Sequence, residues 1–140
     1  MRRLVMALPA SLAIAPCTAL FIALLTGSLR QGRLALEWPT LIDGVGYAMP
    51  EILLAAAPGM LIFLAASRHL RSRVARLALF AGCALLACAI AAILFAQAFG
   101  NTWSTMEILL ELVAAQLDLI ALAALPGALL VAALHPGRPA

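Results

Sequence analysis

Four long, nearly unbroken apolar runs constrain this chain more than any other feature. They lie at about residues 4–26, 40–67, 74–99 and 105–134. A helix rises roughly 1.5 Å per residue and a bilayer's hydrocarbon core is ~30 Å thick, so about 20 apolar residues suffice to cross it. Every run reaches that length. The last three exceed it, so those helices tilt or project beyond the core. The strands of a membrane β-barrel are shorter and alternate apolar with polar residues, which these continuous Ala- and Leu-rich runs do not. The expected fold is an all-α membrane protein: one domain over residues 1–140, with four transmembrane helices in an antiparallel bundle.

Composition excludes most alternatives. Of 140 residues, 66% are apolar and 11% are charged. A soluble domain of this size keeps too much surface to hide that many apolar side chains. The loops are too short for a catalytic domain. No hydrolase triad, phosphate-binding glycine loop, zinc-binding His pair or dinucleotide fingerprint occurs, so no enzyme is expected. No basic block interleaves with aromatic residues, which argues against nucleic acid. Cys17, Cys83 and Cys88 lie in apolar runs without metal-ligand spacing and read as small packing residues. No cofactor is expected.

Arginine placement sets the expected topology. All nine basic residues are Arg. Arg2 and Arg3 precede the first run, Arg68, Arg71, Arg73 and Arg76 surround the link between the second and third, and Arg138 follows the fourth. These seven fall on one side, against Arg30 and Arg33 on the other. The side richer in arginine faces the cytoplasm, so both termini face in. Arg68, Arg71, Arg73 and Arg76 also suit anionic lipid headgroups. The location expected is a bacterial inner membrane. The beginning resembles a signal peptide, and Ile14-Ala15-Pro16-Cys17 resembles a lipoprotein cleavage box. Pro16 directly before Cys17 and the apolar continuation through Thr26 favour an uncleaved first helix.

Helix punctuation recurs. Trp38 leads into Thr40 and Asp43, and Trp103 into Ser104 and Glu107. Each pattern places an aromatic ring at the interface and a capping box at the helix start. Ala57-Pro58-Gly59 recurs as Leu125-Pro126-Gly127, as a duplicated two-helix hairpin would produce. Pro9, Pro16, Pro58 and Pro126 each remove a backbone hydrogen bond and mark sites for a kink.

Two stripes of small residues permit close helix approach. Ala7, Ser11, Ala15, Ala19 and Ala23 are four apart in the first run, and Ala84, Cys88, Ala92, Ala96 and Gly100 in the third. Lipid is as apolar as leucine, so helices associate in it by close packing rather than by burial. The stripes suit packing inside the bundle first, and a seam with another protein second.

The acidic residues are the candidates for chemistry, because a carboxylate within a span is costly. Glu107, Glu111 and Asp118 sit at offsets of four and seven and share one face of an ideal helix. Asp43, Tyr47 and Glu51 are four apart at the outer end of the second run. With Gln97, Asn101 and Gln116 they suggest an outward-facing acidic vestibule, in which Asp118 binds a proton and Glu111 and Glu107 relay it. Asp43 and Glu107 are also explained by capping, and Glu51 by Pro50 and the helix dipole. Asp118 has no such explanation. His69 and His135 end the second and fourth runs at one depth, the arrangement of axial haem ligands, although both also fit a solvated interface.

The function expected first is association: an accessory or assembly subunit of a larger membrane complex, or a homo-oligomer. The partners are the lipid bilayer and another membrane subunit or a second copy. The alternative is a small proton- or cation-coupled transporter using the acidic vestibule. A b-type haem anchor is the remote third.

Overall fold

The computed structural model describes residues 2–38, 49–98 and 102–134. The first apolar run forms α1 (Arg2–Leu12) and α2 (Ile14–Gln31), the second α3 (Met49–Ser67) and the third α4 (Arg73–Ala98). The fourth starts as α5 (Thr105–Ile108), passes through a π-helical turn (Leu109–Val113) and a 3-10 turn (Ala114–Gln116), and ends as α6 (Leu117–Leu134). No strand occurs among the described residues. Ala7–Gln31, Pro50–Ser67, Arg73–Ala98 and Thr105–Leu134 are each long and apolar enough to cross a membrane. The fourth expected span matches these bounds and the third differs by a residue at each end. The first continues to Gln31. The expected start of the second, with its Thr40–Asp43 capping box, lies outside the described residues.

Only one of the four prolines accompanies a break. Pro16 has no N–H for the Leu12 carbonyl, and the helix is interrupted at Ala13. Bonds from Ala13 N–H to Pro9 O (3.0 Å) and from Cys17 N–H to Ala13 O (3.2 Å) carry the chain across the interruption. Pro9, Pro58 and Pro126 lie inside continuous helices.

The end of α2 is a glycine cap. Gly32 adopts φ +65°, the left-handed region that favours glycine, and its N–H reaches Ser28 O at 2.9 Å. The chain then turns back along α2 as a strap, 33–38. Glu37 N–H donates to Ala23 O at 3.0 Å. The Ala35 backbone lies so close over Gly27 that any side chain there would strike its carbonyl. Arg30 Nη1 reaches Glu37 Oε1 at 2.6 Å and Gln31 Nε2 reaches Oε2 at 3.3 Å. Arg30, the nearest cause, holds the Glu37 carboxyl below the usual carboxylate range, with Gln31 assisting.

The packing centres on α4, which touches α2, α3 and α6. One buried cluster joins Phe21, Leu25, Ile52, Phe95, Leu112 and Ile120, and another joins Ile14, Cys17, Phe63, Phe80 and Val131. The glycines of the two repeated tripeptides both pack on α4. Gly59 lies against the Cys83 carbonyl, and Gly127 lies against the Phe80 ring and the Cys17 sulfur. Phe63 meets Phe80 edge to face, with centroids 6.0 Å apart.

The small-residue stripes are used inside the bundle. Ala84, Cys88, Ala92 and Ala96 are buried on α4. Ala7 and Ser11 are buried, while Ala15, Ala19 and Ala23 are half-buried. Ser11 Oγ donates to Met60 O at 2.9 Å and ties α1 to α3. Thr18 and Thr26 donate to the carbonyls of Ile14 and Ile22, which satisfies their buried hydroxyls. Gly100 lies outside the described residues.

Candidate functional site

The carboxylates of the fourth span face out of the bundle. Its entry is a complete capping box: Glu107 N–H donates to Ser104 Oγ at 3.3 Å, and Ser104 N–H donates to Glu107 Oε2 at 2.7 Å. Glu107 is therefore engaged at the helix start, although its side chain is exposed. Glu111 lies in the π-helical turn and Asp118 in the first turn of α6, and both are exposed.

An ideal helix would relate these residues by simple rotation, but the π and 3-10 turns lie between Glu107 and Asp118. A π turn accommodates one extra residue without ending the helix. Here Ile108 before the irregular turns, Leu112 and Val113 within the π turn, and Leu119, Ile120 and Ala123 after them are all buried. The buried side stays on the bundle through the irregular turns, and the acidic side stays out. Asp118 is eleven residues in from Glu107, about 16 Å at roughly 1.5 Å per residue, and sixteen short of Leu134. Neither Glu111 nor Asp118 has a hydrogen bond or ion pair to a described residue.

Glu51 is half-buried in the first turn of α3, and its Oε2 is buried with no hydrogen-bond partner among the described residues. No hydrogen bond joins it to the carboxylates of the fourth span. Asp43, Tyr47 and Asn101 lie outside the described residues. Gln116 is half-buried and Gln97 exposed. Two cavities between α2 and α6 have apolar linings and include none of these carboxylates.

The arginine turn caps α3. Arg68 Nε donates to Ala65 O at 2.9 Å, and Arg76 Nε and Nη2 donate to Leu70 O at 3.1 and 2.7 Å. Arg68 on a last-turn carbonyl of α3 complements the helix dipole, while Arg76 bonds a carbonyl of the link that follows. Arg71 and Arg73 are exposed beside them. His69 is exposed, with its N–H on Ala66 O at 3.1 Å, and His135 lies outside the described residues. No group of three or more His, Cys, Asp or Glu able to hold a metal occurs among the described residues.

Sequence reasoning missed the strap and the irregular turns. The strap had a signal: Gly32 follows a polar helix end, and Arg30 and Glu37 are oppositely charged neighbours across it. The π turn had none, since its residues suit an ordinary helix. Comparison with protein-family models, with curated proteins and with solved structures finds no match to this chain.

Proposed function

We propose that this protein is a small multi-pass protein of a bacterial inner membrane that works by association, as an accessory or assembly subunit or as a homo-oligomer. The antiparallel bundle would place both termini in the cytoplasm, with seven of the nine arginines on that side. One observation carries the functional reading: Asp118 is exposed on the outer side of α6, within the apolar span, and has no partner among the described residues. An ionised carboxylate facing lipid costs about 2.5–3.5 kcal/mol or more. A polar group from a neighbouring protein removes that cost and makes the contact specific, because the carboxyl both locates and orients its partner. Since the α4 stripe serves internal packing, the exposed face of the fourth span that carries Asp118 is the surface on which this reading places a partner.

Proton or cation transport is the second reading. It is supported by Glu107, Glu111 and Asp118 all being exposed along the fourth span. A path along that face needs a second protein to enclose it, so transport also requires association.

Cysteine cross-linking in native membranes tests the reading, with Cys17, Cys83 and Cys88 replaced. Ala121 is exposed one turn past Asp118, and Ala92 is buried on α4. Oxidation of Ala121→Cys should give an intermolecular product and Ala92→Cys none. Failure of Ala121→Cys to cross-link would overturn the homo-oligomer form of the reading and leave only a partner of different sequence.

A further inference from the structure

A lateral groove separates α2 from α6. A cavity of about 480 Å³ lies between Leu20 and Leu24 of α2, Leu122 and Leu125 of α6, and strap residues Leu34 and Leu36. A second of about 320 Å³ continues past Pro16, Cys17 and Leu130, and both are lined by Leu20 and Pro126. Neither has a charged residue in its lining. From Leu24 to Ala13 the groove follows α2 for about 16 Å at roughly 1.5 Å per residue, close to the ~15 Å hydrocarbon depth of one leaflet.

The strap supplies both a wall and a charge. It is anchored by Glu37 N–H on Ala23 O, and Leu34 and Leu36 remain 64% and 65% exposed. Glu37 neutralises Arg30. Arg33 immediately precedes Leu34, is exposed, and forms no ion pair with a described carboxylate; its Nε donates weakly to Gln31 Oε1 at 3.4 Å. Next to the lining residue Leu34, the strap therefore carries one guanidinium without a carboxylate partner among the described residues. A guanidinium fork matches a phosphate, and an acyl chain leaves no polar group unsatisfied against such a lining.

We propose that this groove binds one phospholipid, with its phosphate on Arg33 and an acyl chain between α2 and α6. The strap acts as a collar that holds the lipid on this side of the bundle. The inference rests on the chain spanning a membrane and not on association through Asp118, which the Ala121→Cys cross-link reports separately.

The test is native mass spectrometry of delipidated protein in detergent with added dioleoyl phosphatidylglycerol. One retained lipid per chain is expected. Arg33→Gln should weaken retention about fivefold, the effect of one arginine at a headgroup. Leu20→Trp, which intrudes on both cavities, should abolish it, and Leu130→Trp at a more exposed position should reduce it. Dioleoylglycerol, with the same chains and no phosphate, should be retained at least about fivefold less. Three results would overturn the proposal: equal retention of both lipids with no effect of Arg33→Gln, displacement of the lipid by inorganic phosphate alone, or a Leu34→Cys disulfide joining two copies, which would make the groove a protein interface.

Discussion

Replacing Gly59 with alanine tests the packing of α3 on α4 directly. The added Cβ would stand 2.6 Å from the Cys83 carbonyl oxygen and 3.3 Å from its carbon. These are backbone atoms of a helix and cannot rotate away. The two helices must open by about 0.8 Å to restore an ordinary separation of 3.4 Å. A gap of ~0.5–1 Å forfeits a quarter to a half of each contact's attraction along the seam. Overpacking of this kind costs ~1–3 kcal/mol, while alanine gains ~0.5–1 kcal/mol over glycine within a helix, so the net loss is centred on about 1 kcal/mol and does not exceed about 2.5 kcal/mol. Gly82, on α4, is the internal control, because a Cβ there meets nothing within 4 Å. Gly82→Ala should keep only the gain. Equilibrium unfolding in mixed detergent micelles, followed by helical circular dichroism, should separate the two variants by about 2 kcal/mol. Equal stability, or the opposite order, would refute the close approach at Gly59.

Other consequences follow from single contacts. Ser11→Ala removes the hydroxyl bond to Met60 O and should cost about 0.6 kcal/mol, the mean for hydrogen bonds between membrane helices, in the same unfolding assay. Ser104→Ala breaks the capping box and should cost about 1 kcal/mol, with faster hydrogen exchange confined to the first turns of the fourth span. Glu37 has a folded pKa below its unfolded one, so its bond to Arg30 contributes fully above the unfolded pKa and is lost as pH falls through the folded value. Trp38 fluorescence should report the strap loosening in that acid window, and Glu37→Gln should abolish the transition. Cys17, Cys83 and Cys88 are buried, so a maleimide should label them only after denaturation.

The legible parts of this fold are those that a lipid surrounding would enforce. A backbone in hydrocarbon must satisfy its own hydrogen bonds, so an apolar run of sufficient length has to be helical. The runs around Arg73–Ala98 and Thr105–Leu134 could be read for that reason. The capping box at Ser104 and Glu107 could be read because water no longer meets every N–H at the helix start. The α4 stripe could be read because Ala and Cys at a spacing of four allow close approach.

What sequence could not give was direction. In a soluble helix, apolar residues mark the inside. In lipid both faces are apolar, so Glu107, Glu111 and Asp118 could be assigned to one face without showing whether it looked into the bundle. The structure turns that face outward, and the carboxylates do not line the two cavities between α2 and α6. Gly32 and the Arg30–Glu37 pair signalled a turn, but the path of the strap escaped because Glu37 N–H and the Ala23 carbonyl, which fix it, are backbone groups that every residue carries. The irregular turns at Leu109–Gln116 escaped because local propensity favours a plain helix there.

The central claim is that Asp118 marks a contact with another protein. Native mass spectrometry of the tagged protein, released gently from its own membrane, tests it most directly when the wild type is compared with Asp118→Leu. Asp118 is exposed, so the substitution leaves the internal packing intact. The account predicts a defined oligomer or a complex with another subunit for the wild type, and its loss in the variant. A bare 14.6 kDa chain from the wild type, or a complex unchanged in Asp118→Leu, would contradict it.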